Sequence, residues 1–436
     1  MNRRTDILIV GGGLVGTSLA LALDAAGRDA VLVEAAPPRT ATASGDDDRN
    51  LVLARASINA LTALDVWPLV DQLAGTIRRL EISRAGEFGR VRMSAEDAGV
   101  DALGRVVPGS RLAAALQQRV AMCTHVQRLA PAKLEVLRSV SGSDDHDHPP
   151  HPGPLPAGER ETSAQRVDGE GAGVQSGWQA RVRVGNEIHE IDARLVVGAD
   201  GSDSLVRAQV GIAAQMHDYR QSLIVATVSC GRDLPDVAFE RFTDEGPVAL
   251  LPLPNQRRGL VLTVAADRHD AVMGMDDDAF LALAQRRFGW KLDALSRPGK
   301  RFAHRIRRVL ADGLTAPRAV IVGNAAQTVH PIGAQGFNLG LRDAMTLAEL
   351  VARADDPGAP GLLREYAVRR APDRDGVVAF SHGLIALVCL AQPALAPVRS
   401  LALLALDGVP VLRRRIERRG MGFRGRPPAT TLDAGP

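Results

Sequence analysis

Gly11, Gly13 and Gly16 stand at the spacing G-x-G-x-x-G inside "ILIVGGGLVGTSLALALDAAGRDAVLVE", residues 7–34. The spacing alone is weak evidence, but its setting is informative. The apolar run over 5–10 reads as a buried strand, the Ala- and Leu-rich 14–26 as a helix, and 30–34 as a second strand that stops at Glu34. In such a strand–helix–strand start, Gly11 permits the tight turn and Gly13 the close approach of a pyrophosphate. Gly16 lets the helix pack on the strand, and the phosphates sit at the helix N-terminus. Glu34 falls where an acid takes ribose hydroxyls and repels a ribose phosphate. These residues therefore point to FAD or NAD rather than NADP.

Two further stretches repeat the strand–turn theme. "LVVGADGSDSLVR" (195–207) enters a turn at Asp200-Gly201, followed by Ser204 and Arg207. "IVGNAAQTVHPIGAQGFNLGLRDAMTLAEL" (321–350) gives a strand, a turn at Asn324, a Pro-Gly loop and a long helix carrying Asp343. The loop over 331–340, with Gly333, Gln335, Gly336 and Asn338, offers backbone N–H groups and a helix N-terminus. Such donors suit a group that becomes anionic on reduction, as the N1–C2=O edge of a flavin does. There is no second glycine motif in strand context, so a nicotinamide cofactor would have no dinucleotide domain of its own.

The elements that must position these residues fill a chain of 436 residues, long enough for two lobes. Apolar residues make up 45% and charged residues 24%, as in ordinary soluble proteins, and a formal charge of +3 gives no case for nucleic acid. Three scattered cysteines, Cys123, Cys230 and Cys389, suit a reducing compartment and supply neither a disulfide framework nor a metal spacing. No signal peptide is read at the start, and a cytoplasmic location follows as the expectation. Residues 50–75 and 110–121 read as helices, the second with Ser110 as N-cap, and 124–138 and 178–197 as strands. Between those strands, 141–177 is rich in Pro, Gly, Ser and charge, so it is expected to be a disordered surface insertion whose flanks join as a hairpin. Its His146, His148 and His151 are read as insertion residues, with no metal site assigned. The short runs "SLIVATVSC", "VAFERFT", "VALLPLP" and "GLVLTVAA" over 221–265 read as an antiparallel sheet forming a second lobe. From 375 to 399 charge is nearly absent, yet Pro393 and Pro397 interrupt the run, which favours a buried or membrane-touching helix over a spanning one. The apolar 384–406 followed by Arg413, Arg414, Arg415, Arg418 and Arg419 fits either an anionic membrane face or a core helix with a solvated basic tail.

Together, the three turns resemble the flavoprotein aromatic hydroxylases, the single-component FAD monooxygenases, and the match runs through most of the chain in the right order. "DDRNLVLARASINALTALDVW" (47–67), "FERFTDEGPVALLPLP" (239–254), "GNAAQTVHPIGAQGFNLGLRD" (323–343) and "MGFRG" (421–425) are similar to the ubiquinone-biosynthesis hydroxylases, above all the 2-polyprenyl-6-methoxyphenol hydroxylase branch. That resemblance implies an α/β fold: a Rossmann-like FAD-binding domain (1–80, 106–210 and 309–355), an inserted antiparallel-sheet substrate domain (81–105 and 211–308) and a helical C-terminal region (356–436). It also implies FAD contacts by Arg49, on the flavin side, and by Arg111, at the start of a helix. For each arginine the alternative is a solvated surface position. Asp200 and Gly201 are associated with FAD and the reduced nicotinamide cofactor, and the third motif with the ribityl chain and flavin ring.

The implied reaction is oxygen insertion into a polyprenyl phenol, with NADPH or NADH as transient reductant and O2 as co-substrate. Other ubiquinone-biosynthesis proteins and the inner membrane face are its implied partners. The sequence departs from the pattern at Asn324, where Asp is usual, and at Ala334, where Gly is common; an alanine there is acceptable if φ stays negative. Arg55 and Ala56 occupy a segment that is usually less charged, and the 141–177 insertion has no counterpart. No acid–base residue is assigned. His330 is better explained as holding the loop than as a base, and His304 as a strand-edge residue. A polyprenyl reductase or a non-catalytic scaffold would keep the same FAD motifs, whereas a flavin halogenase would need a Trp-x-Trp-x-Ile-Pro motif that is absent.

Overall fold

A computed structural model of the chain describes residues 2–37, 49–140, 177–388, 396–408, 418, 420–423 and 427–432. The insertion up to 176, Cys389 and the arginines at 413, 414, 415 and 419 lie outside the described residues.

The first sheet forms around β1 (Asn2–Val10), whose Ile7, Leu8, Ile9 and Val10 are buried on both faces. Such a continuous apolar run suits a parallel sheet covered on two sides. Beside it lie β2 (Ala30–Val33) and β8 (Val126–Leu129) on one side, β11 (Glu187–Gly198) and β19 (Ala319–Ile321) on the other, all parallel. The two-residue β18 (Thr315–Ala316) closes the β19 edge in antiparallel sense. β9 (Ala132–Val140) and β10 (Gly177–Val184) run antiparallel off β11, and Gly177 pairs with Val140. The ends of the insertion are therefore brought together across a strand pair. Gly177 itself belongs to the strand, where an added Cβ would meet the Ala193 carbonyl oxygen at 2.6 Å.

Helix α1 (Leu14–Ala25) crosses from β1 to β2 and packs under the long α7 (Gln335–Ala352). A three-stranded sheet of β3 (Asn50–Ala54), β4 (Gly75–Ile77) and β7 (Gly104–Pro108) lies next to α2 (Arg55–Ala63). The expected helix over 50–75 is thus confined to Arg55–Ala63: strand β3 precedes it, and two 3-10 turns (Trp67–Leu69, Asp71–Leu73) and the start of β4 follow it. Asn50–Ala54 pair residue for residue with β7, and the short apolar Leu51-Val52-Leu53 serves a strand as well as a helix. Likewise α3 (Gly109–Val120) starts one residue early, with Pro108 and not Ser110 at its N-cap.

The second sheet has nine strands. In order these are β20 (Gln327–Thr328), β17 (Phe302–Ala311), β12 (Ala214–Cys230), β15 (Arg257–Ala265), β14 (Gly246–Pro252), β13 (Val237–Thr243), β5 (Arg79–Arg84) and β6 (Arg90–Ser94), with β16 (Leu295–Ser296) beside β12. Every neighbour pair is antiparallel except β13 with β5. Side-chain alternation gives this sheet two different faces. On one, Ile224, Phe239, Val248, Leu250 and Leu262 pack against Phe280, Leu283 and Phe288 of α6 (Asp277–Phe288), with Val272 of the short α5 (His269–Met273). The other face turns toward the loop that precedes α7, where Phe242 meets Ile332.

After α7 come α8 (Pro360–Val388), with Pro372 inside it, and α9 (Ala396–Gly408). Between them the expected C-terminal helices are present, but the chain then returns. The Ala56 N–H donates to the Met421 carbonyl at 3.1 Å, and Asn59 Nδ2 to the Thr431 carbonyl at 3.0 Å. Met421 and Thr431 therefore pack on α2 after the C-terminal helices. Among the described residues no helix is long and apolar enough to cross a membrane.

Candidate functional site

The three turns meet at the C-terminal ends of β1, β11 and β19, the crevice where parallel α/β sheets hold ligands. Gly11 has φ of 105°, and an added Cβ would collide with the Ala199 carbonyl oxygen. A Cβ on Gly16 would run into the Gly11 carbonyl oxygen. Both glycines are thus demanded by the fold. Gly13 differs: a Cβ there meets no described atom within 4 Å. Glu34 reaches over this turn. Its Oε2 accepts the Gly12 N–H at 2.6 Å and its Oε1 the Ala36 N–H at 2.7 Å. Each carboxylate oxygen retains a lone pair for a ligand hydroxyl.

The second turn is built around Asp200, which caps the short α4 (Leu205–Gln209). Its Oδ2 accepts the Leu205 and Val206 N–H groups at 2.7 and 3.1 Å, and its Oδ1 accepts the Ser204 hydroxyl. Gly201, at φ of 86°, faces open space. Buried Arg207 ties this turn to the third, donating to the Ser202 carbonyl at 2.9 Å and the Ala325 carbonyl at 2.8 Å. Ser202 Oγ also meets Thr328 Oγ1 at 2.7 Å.

In the third turn Asn324 is exposed, whereas Gly323 is buried against Val15 of α1. The Gly323 N–H donates to Asp343 Oδ2 at 3.1 Å, and Gln327 Nε2 donates to the same oxygen at 2.6 Å. Asp343 is held in turn by Arg370 at 2.7 Å, and Asp373 joins Arg370 to Arg342 at 2.8 and 2.7 Å. Although burial opposes ionisation of Asp373, the two guanidinium groups hold its carboxyl below the usual carboxylate range. Removing one partner from so buried a network costs about 3–5 kcal/mol. The turn therefore rests on a rigid base shared by α7 and α8.

The loop over 331–340 contains two consecutive left-handed residues. Gly333 has φ of 67°, and Ala334 lies in the left-handed region at φ 49°, ψ 39°. The condition for an unstrained alanine at 334, a negative φ, is not met: the chain turns sharply here to start α7. Asn338 is buried and wholly engaged. Its Nδ2 donates to the Val52 and Ala334 carbonyls, both at 2.8 Å, and its Oδ1 accepts the Ala54 N–H at 2.9 Å and the Ser57 hydroxyl at 2.7 Å. Its side chain thus fixes the loop to β3 and α2. Gln335 is different: Nε2 donates to the Gly333 carbonyl at 3.0 Å, while its buried Oε1 has no hydrogen-bond donor among the described residues. A Cβ on Gly336 would meet no described atom within 4 Å.

His330 is buried beneath this loop. Its Nδ1 accepts the Ile332 N–H at 3.2 Å, which places its proton on Nε2, 3.4 Å from Gln221 Oε1. Burial pulls its pKa down to about 4, so the ring is neutral at ordinary pH and serves the loop. Arg49 is exposed, with its carbonyl accepting the Gly109 N–H at 3.0 Å, and Arg111 is half-buried in the first turn of α3. Next to it, Ser110 Oγ is a buried oxygen without a partner among the described residues. His304 is exposed on β17.

Reasoning from sequence passed over Glu240. It lies on the loop-facing side of β13, and burial pushes its pKa up to about 7 against the opposing effect of the Gly333 backbone amide. The available signal was a lone acid within the alternating "VAFERFT".

A model of the FAD binding domain matches residues 159–381. The chain is 32% identical over 421 residues to "Ubiquinone hydroxylase UbiL" of Rhodospirillum rubrum, covering 96% of this chain and 89% of that protein. It is 30% identical over 432 residues to the 3-demethoxyubiquinol 3-hydroxylase of Escherichia coli, covering 97% and 100%. In fold it resembles the p-nitrophenol 4-monooxygenase PnpA from Pseudomonas putida, with a TM-score of 0.74 at 16% identity over 98% of this chain and 100% of that one.

The site fits FAD. Gly13, Gly201 and Gly336 leave space that described atoms do not fill, Glu34 has lone pairs to offer, and Gln335 Oε1 and Ser110 Oγ are buried oxygens with no described partner. With the three motifs converging on one crevice and relatives matching along nearly its whole length, the chain belongs to the ubiquinone-biosynthesis FAD-dependent hydroxylases, within the flavoprotein monooxygenases.

Proposed function

We propose that this protein hydroxylates the ring of a polyprenyl phenol in ubiquinone biosynthesis, with 2-polyprenyl-6-methoxyphenol as its substrate and NADH or NADPH as reductant. The observation that carries this reading is the loop-facing side of the second sheet. Across five strands, Ile82, Ala249, Val261, Val225 and Phe302 form one apolar row, in line with Glu240. An apolar wall opposite the loop over 331–340 suits an aromatic ring with a prenyl tail. Bound FAD supplies the reducing and oxygen-activating chemistry. The protein's own part is to place the ring, exclude water and offer the loop's amides to developing negative charge.

FAD is held, in this reading, by Gly11, Gly13 and Gly16 at the pyrophosphate and Glu34 at the ribose. Arg49, Arg111, Asp200, Gly201 and Asn324 stand around its middle, and Gly333, Gln335, Gly336 and Asn338 form or brace the flavin loop. A membrane-dissolved substrate requires access from a lipid surface. Leu401 and Leu404 of α9, 60% and 42% exposed, supply apolar contacts for a peripheral attachment at the inner membrane face.

A second reading, hydroxylation of a demethoxylated quinol ring, is favoured by the full-length similarity to the E. coli 3-demethoxyubiquinol 3-hydroxylase. Purified holoenzyme given each polyprenyl ring in turn, with NADH or NADPH and O2, separates the two by mass spectrometry of the product. Oxygen incorporation only into the demethoxylated quinol would replace the first reading with the second. Incorporation into neither would sink both.

A further inference from the structure

The apolar row on the second sheet contains one ionisable side chain. Glu240 pairs with Ile82 of β5 and Ala249 of β14, and the row continues through Val261, Val225 and Phe302. From the loop side, Ile332 packs on Ile82 and on Phe242, two residues along β13 on the same face, and the Gly333 amide favours the charged form of the carboxyl. A carboxyl in such a wall is costly, because burial disfavours its charged form. We propose that Glu240 is the catalytic base of the hydroxylation, accepting the proton of the substrate's phenol hydroxyl as the ring takes up oxygen. This inference rests on the phenol-hydroxylase reading above.

In that step the phenol O–H bond breaks and a new O–H bond forms on a Glu240 carboxylate oxygen. The freed electron pair moves into the ring and makes the reacting carbon more nucleophilic. O2 supplies the inserted oxygen atom through the monooxygenase activity, and the two electrons of the nicotinamide cofactor reduce the other oxygen atom, which leaves as water. Once the carbon–oxygen bond exists, the ring carbon loses its hydrogen as a proton to solvent. Glu240 then returns its proton to the ring oxygen, restoring the aromatic diol and the carboxylate.

The surroundings give Glu240 this role rather than its neighbours. Its pKa of about 7 leaves it partly ionised at neutral pH, as a general base requires. On the same face of β5, Arg84 is engaged with Glu87 and Asp244. The groups that meet Glu240 from β5, β14 and the loop are Ile82, Ala249 and the Gly333 amide. His330 is neutral and directs its one proton at Gln221. Tyr219, edge-on to His330, has its pKa raised by burial and is a poor proton acceptor.

The test is Glu240→Gln in the holoenzyme. Glutamine keeps an oxygen toward the Gly333 amide but cannot take a proton. We expect flavin content and thermal midpoint to match wild type, while hydroxylation falls about 10²-fold or more with KM little changed. The wild-type rate should fall below about pH 7 and lose that limb in E240Q, with partial recovery in Glu240→Asp. Independently of turnover, the oxidised flavin spectrum should shift with pH near 7 in wild type and not in E240Q. Turnover and pH limb unchanged in E240Q would overturn the base and leave the hydroxylase reading standing. Wild type inactive on every phenol offered would overturn both. Should E240Q lose its flavin, infrared titration of isotope-labelled wild-type glutamates decides: a protonated carboxyl persisting to near pH 7 supports the assignment, and all carboxyls titrating in the ordinary range overturn it.

Discussion

Two glycine-rich turns of the site, a first over 11–16 and a second over 331–340, carry their glycines for different reasons. In the first, Gly11 and Gly16 are required by the protein itself: a side chain on either collides with backbone oxygen inside a packed strand–helix joint. In the second, Gly336 collides with nothing described, and the tight geometry falls on Gly333 and Ala334 instead. One turn therefore uses glycine to assemble the fold and the other to leave a surface bare. The first should break as a structure, the second as a chemical site.

The largest effect is expected at Gly16. Gly16→Val must separate α1 from β1, an overpacking of the strand–helix joint that costs about 4 kcal/mol or more. We expect loss of soluble, FAD-containing protein, read by expression, absorbance and circular dichroism. A folded, yellow variant would show that this turn is as tolerant as the second. Gly336→Val should do the reverse: remain folded, yet lose flavin or lower its reduction potential, with hydroxylation down by orders of magnitude (each ~1.4 kcal/mol is tenfold). Anaerobic photoreduction against reference dyes, with product detection, measures this. Unchanged flavin content, potential and turnover would remove the loop from the site.

His330 sharpens the contrast, because it supports the second turn through its neutral form. Its pKa falls from 6.5 unfolded to about 4 folded. The unfolded chain therefore binds the proton first, and stability present above pH 6.5 is lost as pH falls from 6.5 toward 4. A shift of this size corresponds to roughly 3 kcal/mol. Denaturation midpoints taken between pH 7 and 4 should drop in wild type and drop less in His330→Asn. Equal slopes would mean that other groups govern acid lability. At the first turn, Glu34→Ala should weaken FAD binding by roughly 1.5–3 kcal/mol through the lost charged hydrogen bond. Titration of apo-protein with FAD tests it, and wild-type affinity in the variant would remove Glu34 from the ribose.

The three turns were readable because each is contiguous in sequence, a strand followed by a turn and a helix. What joins them was not. Asn338 could be taken for a ligand to the cofactor, since its partners Val52, Ala54 and Ser57 come from a distant part of the chain. The row around Glu240 draws on six strands between Ile82 and Phe302, and an acid in "VAFERFT" shows its inward direction only once register is fixed. Residues 50–54 illustrate another limit. A five-residue apolar run has no period long enough to separate strand from helix, and pairing with β7 decides it. The antiparallel lobe itself was legible, because its runs alternate and are spaced by turn residues.

The smallest effect concerns Ala334, where the second turn takes on strain that the first avoids by using glycine. A left-handed alanine costs about 1–2 kcal/mol relative to the right-handed form. Glycine removes that cost but loses more entropy on folding, about 0.5–1 kcal/mol. The two terms leave Ala334→Gly more stable by only about 0.5–1 kcal/mol by that difference. The substitution also restores the residue more common at this point of the family's loop. We expect a slightly raised thermal midpoint, unchanged FAD content and near wild-type turnover. The Cβ of Ala334 adds no contact that the loop's hydrogen bonds require, since Asn338 Nδ2 reaches its carbonyl. If stability rises while turnover falls, the alanine is holding the loop in a shape the chemistry needs, and strain belongs to the mechanism. If stability falls, the left-handed turn is not what the free protein adopts, and the two turns are more alike than their backbones indicate.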